Sequence, residues 1–167
     1  MYRFGIEIRW GIVFSIAIVA WTALERVLGL HDVHLEQHAT YTWLFAIVAI
    51  SIYLAALYQR RNALEQVMSW KDGFKSGMVL TMVVVLLSPL TQWVIHTLIS
   101  PTYLENLRAY VVMHNLATPE QAQAHYTLRS YIMMSILSTL AMGTLTSAVS
   151  ALIMRKGGTR SSDASND

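Results

Sequence analysis

Three histidines lie close together in the segment 30–38, and imidazole is the commonest metal-binding side chain in proteins. The segment reads LHDVHLEQH, which places His31, His34 and His38 three and four residues apart. If the segment is helical, this spacing brings the three rings within about 60° of one helix face. Three imidazoles that leave one coordination position open suit Zn²⁺, Ni²⁺ or Cu²⁺. The pattern therefore indicates a candidate metal site.

The same histidines also have simpler explanations, and these carry more weight. The connection 29–40 need not be helical, and histidine belongs outside apolar cores in any case. His31 can instead cap the preceding helix through its end carbonyls, or the cluster can respond to pH. We therefore expect no bound metal and no other cofactor. Replacing His31, His34 and His38 together should leave the metal content unchanged.

Four apolar stretches surround these histidines, and they determine the class of the protein. The chain has 167 residues, of which 54% are hydrophobic and 13% charged. A helix needs roughly 20 apolar residues to cross a bilayer, and a soluble domain of this size cannot bury four such segments. The sequence predicts an all-α membrane protein, one domain over residues 1–156 in contact with the lipid bilayer. Its four transmembrane helices are predicted at residues 10–24, 41–58, 76–99 and 130–154.

The first stretch is the shortest, because charges at Arg9 and Glu25 bound it. A basic start and a short apolar run also describe a secretory signal peptide. Two features argue against that reading: Glu7 lies in the basic region, and no A-x-A cleavage site follows. Arg9 and Arg26 can also lengthen the span by snorkelling to the interfaces. We predict a membrane span.

Positive charges are distributed unevenly between the two sides of the membrane, and this distribution predicts the orientation. Nine of the 12 lysines and arginines precede the first stretch, separate the second from the third, or follow the fourth. Short loops rich in Lys and Arg stay in the cytoplasm. Both termini are therefore predicted to be cytoplasmic, and residues 157–167 should form a disordered polar tail there. The basic residues set orientation, so no nucleic-acid partner is expected.

The segment 100–126 is the only sizeable region predicted outside the membrane. Ser100-Pro101 is typical of a helix start, and an apolar stripe then recurs at helical spacing through Leu104, Leu107 and Val111. This pattern predicts an amphipathic helix in the outer interface, between the third and fourth spans. Residues 118–121 read TPEQ, a capping-box sequence. The fourth helix is expected to begin there and to project outward.

Small residues recur at every fourth position in the third and fourth stretches. Such ladders let helix backbones approach closely in lipid. We expect them to pack helices of one chain against each other, and the alternative is the seam of a homodimer. The residues are Gly73, Gly77 and Thr81 in the third stretch, and Ser135, Thr139, Gly143, Ser147 and Ala151 in the fourth.

Pro89 lies inside the third stretch and predicts a helix kink, because it cannot donate a hydrogen bond to the carbonyl of Val85. Ser88 or Thr91 can satisfy that carbonyl, which describes a static kink. The functional alternative is a gating hinge beside a polar pocket that contains Gln92.

Catalysis is not expected from this sequence. No Asp, Glu, Lys or Arg lies in the middle of an apolar stretch, and the chain has no cysteine and no hydrolase, metalloprotease or phosphate-loop motif. We predict a non-catalytic integral membrane module, an accessory or interaction subunit whose outer segment 100–126 contacts a protein partner. The alternatives are a small oligomeric transporter or channel, and an extracytoplasmic metal- or pH-responsive protein.

Five segments of the chain resemble a family of small bacterial membrane proteins that is known only as domain of unknown function 4199. The resemblance extends from about Glu7 to Lys156, and its most specific parts are GLHDxH and SWKDGF. It implies four helices in a bacterial inner membrane, and it brings no activity, ligand or catalytic residue. The segments are WTALERVLGLHDVHLEQHATYTWLFAI, SWKDGFKSG, LSPLTQW, SPTYLENLRAY and SAVSALIMRK.

Overall fold

The computed structural model describes residues 4–32 and 34–156, and these fold almost entirely into helices. The predicted tail 157–167 lies outside the described residues. Four helices are long and apolar enough to cross a membrane, which confirms the predicted all-α fold with four spans. The helices are α1 (Gly5–Val27), α2 (Leu35–Ala63), α3 (Trp70–Val94), α4 (Tyr103–Met113), α5 (Pro119–His125) and α6 (Leu128–Met154), and a π-helical turn (Ile95–Ile99) extends α3.

The antiparallel helices α3 and α6 form the closest contact of the bundle, and glycines make this contact possible. A Cβ atom built on Gly143 would lie 2.5 Å from Cγ2 of Thr81, and one built on Gly77 would lie 2.6 Å from Oγ of Ser147. Gly73 faces Ala151 with slightly more room, at 3.0 Å. The predicted ladder residues Gly73, Gly77, Thr81, Gly143, Ser147 and Ala151 therefore meet within one chain. Ser135 and Thr139, which lie nearer the start of α6, are half-buried.

A buried ion pair joins α1, α2 and α3 near one end of the bundle. Glu7 is completely buried, and its Oε1 accepts a hydrogen bond of 2.7 Å from the hydroxyl of Ser76. Nε of Arg60 lies 3.6 Å from the same oxygen. One turn away, Trp10 donates a 2.7 Å hydrogen bond to the side chain of Gln59. The charges lie in the terminal turns of their helices, where a charged group costs less than at mid-membrane depth.

Pro89 is exposed on the surface of α3, which continues through it to Val94. The hydroxyl of Ser88 donates a 2.8 Å hydrogen bond to the carbonyl of Val85, the group that proline leaves without its helical donor. Thr91 bonds to the carbonyl of Ser88 in the same manner, at 3.0 Å. These local bonds provide the hydrogen bonding that a static kink requires.

The outer segment differs from the prediction at both of its helix starts. Ser100 was expected to cap the outer helix, which is wrong because α4 begins at Tyr103 and Ser100 is a buried partner of His31. The capping box of Thr118 and Gln121 is present, but it starts the separate short helix α5. Helix α5 ends before Tyr126, and α6 begins after Thr127. The hydroxyl of Thr127 accepts a hydrogen bond from the N–H of Ser130 and so caps α6.

Candidate functional site

The histidine segment is not one helix, so the predicted face of three imidazoles does not form. Helix α1 ends in a Schellman motif, in which Gly29 has φ = 74° and the N–H of Leu30 bonds to the carbonyl of Glu25 at 3.0 Å. The chain turns there, and α2 begins only at Leu35. His31 is consequently buried under the turn, whereas His34 is exposed. The structure therefore does not bring together His31, His34 and His38, the alternative that was weighed against no metal.

Glu25, rather than His34, lies beside His31 and His38. It is 3% exposed in the last turn of α1, and its Oε2 lies 3.7 Å from Nε2 of His31 and 3.7 Å from Nε2 of His38. One oxygen of Glu25 and one nitrogen of each histidine all lie within 4.8 Å of one another. The other oxygen, Oε1, accepts hydrogen bonds from the indole of Trp21 at 2.8 Å and the hydroxyl of Thr42 at 2.7 Å.

Two contacts from the outer segment fix the position of His31. Its Nδ1 lies 2.5 Å from the hydroxyl of Ser100, at the end of the π-helical turn. Its backbone carbonyl accepts a 3.1 Å hydrogen bond from the side chain of Asn106 on α4. His31 therefore connects the turn after α1 with both the end of the third span and the outer helix.

Aromatic rings enclose the cluster of Glu25, His31 and His38 on the side of α4. The ring of Tyr103 packs against His31, His38 and His96, with centroid distances of 4.9, 5.4 and 5.8 Å. Burial, followed by the nearby Tyr131, raises the pKa of the Tyr103 phenol, which therefore stays a neutral hydroxyl. Tyr131 of α6 contacts the ring of His96 at 5.0 Å. Side chains from α1, α2, α3 with its π-helical turn, α4 and α6 thus meet at one end of the bundle.

His96 lies in the π-helical turn beside this cluster. Both of its ring nitrogens are buried, and neither has a hydrogen-bond partner within residues 4–32 and 34–156. Arg26 of α1 also holds this turn, because its guanidinium donates a hydrogen bond to the carbonyl of Ile99. Single π-helical turns are found frequently at functional sites.

Sequence reasoning missed Glu25, Ser100, Tyr103 and Tyr131 as members of the site. One local signal was available, because Trp21 precedes Glu25 by four residues and reaches its carboxylate on the same helix face. Ser100 carried a misleading signal, since Ser-Pro usually starts a helix. Tyr103 and Tyr131 lie on different helices, and spacing along the chain does not report that they meet.

Comparison with known proteins adds a family and no activity. The family described as "Protein of unknown function (DUF4199)" matches residues 9–156. The chain belongs to the DUF4199 family. No curated protein and no solved structure matches the chain.

The cluster of this DUF4199 protein provides one carboxylate and two imidazoles, groups that bind metal ions or protons. Two surface grooves lie elsewhere on the molecule. One, of about 760 Å³, follows the outer part of α6 along Met133, Met134 and Leu137. The other, of about 380 Å³, lies between α4 and α5. Glu25, His31 and His38 line neither groove, so neither groove would hold a substrate next to these side chains.

Proposed function

We propose that the protein is a non-catalytic integral membrane module, an accessory or interaction subunit of a bacterial inner membrane system. The observation that carries this proposal is the attachment of the outer segment to the bundle by two polar contacts, because Ser100 and Asn106 both bond to His31. Within the segment, Nε of Arg108 donates to the carbonyl of Tyr126 at 2.9 Å. A segment fixed in this way presents a constant surface to a partner, which reduces the ordering cost of binding.

The packing of the bundle supports a module over a transporter or channel. Helices α3 and α6 touch at backbone distance along Gly73, Gly77 and Gly143, which leaves no space between them for a conduit. Pro89 is exposed on the bundle surface, and Gln92 is only half-buried. A gating hinge would need Pro89 to face a polar interior, so the static kink is the better-supported reading.

The surface proposed for the partner lies at the junction of α4 and α5. Met113 and Leu116 are 72% and 68% exposed there, and both lie outside the four helices that are long enough to span a membrane. The adjacent groove combines apolar side chains with a polar rim that includes Asn115 and Gln121. An apolar patch with a polar rim is typical of a protein–protein contact. The partner we propose is the extracytoplasmic part of another membrane protein.

Site-specific photocrosslinking in native membranes tests this surface. A photoreactive residue at Met113 or Leu116 should crosslink one protein in stoichiometric amount, and Leu116→Glu should abolish its copurification. Leu152 is 53% exposed on α6 and provides the control, because a photoreactive residue there should label lipid. Equal protein crosslinking at Leu116 and Leu152 would contradict the proposal. Ion flux through the purified protein in liposomes would instead favour the transporter.

The proposed orientation places both termini in the cytoplasm, and it follows from the charge bias. Topology reporters fused after Asn62 and after Lys156 should report the cytoplasm, because basic residues cluster in both regions. Fusions after Glu36 and after Thr118 should report the outside. A cytoplasmic signal at Glu36 would overturn the charge argument and with it the assignment of α1 as a span.

A homodimer remains a prediction, and the bundle limits the surface that can form it. Gly143, Ser147 and Ala151 are buried against α3 of the same chain. A dimer would therefore use a different face, such as the part of α6 where a groove follows Met133, Met134 and Leu137. Size-exclusion chromatography with light scattering in a mild detergent measures the oligomeric state directly.

A further inference from the structure

We propose that Glu25, His31 and His38 bind one divalent transition-metal ion, with Zn²⁺ as the best-matched ion, at the outer end of the bundle. Two imidazole nitrogens and one carboxylate oxygen form a ligand set that occurs at protein zinc sites with an open fourth position. Mg²⁺ and Ca²⁺ prefer shells of oxygen ligands, so the two histidines select against them. The inference goes beyond the proposed interaction role and does not depend on it. It replaces the expectation of no bound metal that the sequence alone supported, because Glu25 rather than His34 completes the set of ligand atoms.

The distances between the three ligand atoms are close to those of an assembled site. Zinc binds nitrogen and carboxylate oxygen at about 2.0–2.1 Å, so ligand atoms in a tetrahedral site lie roughly 3.3 Å apart. Oε2 of Glu25 is 3.7 Å from both histidine Nε2 atoms. The separation of up to 4.8 Å within the set is closed most easily by His38. Its side chain is 24% exposed, whereas those of His31 and Glu25 are held at 6% and 5%.

The hydrogen bonds around the ligands support the proposal independently of these distances. A metal-binding histidine usually donates its second ring N–H to an oxygen, which fixes its tautomer and orientation. Nδ1 of His31 faces the hydroxyl of Ser100 at 2.5 Å, which leaves Nε2 directed at Glu25. Trp21 and Thr42 hold Oε1 of Glu25 and leave Oε2 to face the histidines. The free atoms of His31 and Glu25 therefore converge on one point.

Charge gives a second reason for a cation at this point. A carboxylate as deeply buried as Glu25 needs a compensating positive charge. A metal ion meets that need with both histidines neutral, which is also the form that coordinates. The competing explanation is a protonated histidine paired with Glu25, without any metal. The two explanations predict opposite results for metal uptake.

Metal uptake by the full chain, purified in detergent without a polyhistidine tag and treated with a chelator, is the test. We expect one equivalent of Zn²⁺ per chain in titration calorimetry and elemental analysis, and a higher melting temperature when Zn²⁺ is present. Mg²⁺ should produce neither effect. No uptake of Zn²⁺, together with a melting temperature that Zn²⁺ leaves unchanged, would overturn the site in favour of the ion pair.

Variants then identify the ligands. His31→Ala and His38→Gln should each weaken Zn²⁺ binding by about 100-fold or more, and Ser100→Ala by about 10- to 100-fold through loss of ring orientation. His34→Ala is the matched control, because this exposed histidine belongs to the same segment and should leave affinity unchanged. Equal losses in His34→Ala and His31→Ala would refute the set. Should His31→Ala fail to fold, His38→Gln keeps the test decisive, since His38 is the most exposed ligand.

Discussion

Gly143→Leu is expected to destabilise the bundle strongly, because α3 leaves no volume for a side chain at that position. A Cβ atom alone would lie 2.5 Å from Thr81 Cγ2 and 3.1 Å from the hydroxyl of Tyr53. Overpacking of this kind commonly costs roughly 1–3 kcal/mol, and leucine adds three further carbons at a backbone contact. The hydrogen bond of 2.8 Å between Tyr53 and Thr81 would be displaced as well. Thermal unfolding in detergent should show a clearly lower midpoint.

A graded series makes this prediction sharper. Gly143→Ala and Gly77→Ala should both be destabilising, Gly73→Ala should cost less, and Gly5→Ala should be close to neutral because nothing lies within 4 Å of a Cβ there. Val149→Leu is the control for added volume, since Val149 is 49% exposed on the outer face of α6. Equal tolerance of Gly143→Leu and Val149→Leu would contradict the close contact. A stable monomer produced by Gly143→Leu from a dimeric parent would move the ladder to an interface between chains.

The spans and the glycine contacts could be predicted from the sequence, because they depend on the local pattern of apolar and small residues. Hydropathy over about 20 residues reports a span directly, and spacing of four reports which small residues share a helix face. Two helices with such faces have few ways to pack in lipid. The partners Gly77 and Ser147 were thus predictable as a class, although their pairing was not.

The candidate site was harder to predict from the sequence, because one glycine determines the backbone path of the histidine segment. The spacing of His31, His34 and His38 fits a helix, but Gly29 ends α1 and the segment becomes a turn. The turn buries His31, exposes His34 and directs His38 toward Glu25. A charged residue at a span boundary is expected at the membrane interface. Glu25 is buried instead, and it contacts His31 of the turn and Thr42 and His38 of α2.

Arg60→Leu is expected to cost about 3–5 kcal/mol, the range observed when one partner of a buried ion pair is removed. Nε of Arg60 lies 3.6 Å from Oε1 of Glu7, and the two side chains are 8% and 0% exposed. The substitution withdraws a positive charge from a carboxylate that keeps its bond to Ser76. Thermal unfolding should therefore show a much lower midpoint than for Arg61→Leu. Arg61 is the matched control, because it carries the same charge one residue away, bonds to a carbonyl of α6 at 3.5 Å and lies over the ring of Tyr58.

The double variant Glu7→Gln/Arg60→Leu separates the ion pair from simple loss of packing. Glutamine keeps an oxygen for the hydroxyl of Ser76 and removes the charge that Arg60 compensates. We expect the double variant to recover most of the stability lost in Arg60→Leu, because replacing both charges of a buried pair is often close to neutral. Losses that simply add in the double variant would show that the two side chains are not coupled. Arg60 would then contribute only through its packing between the helices, and the charge of Glu7 would be compensated elsewhere.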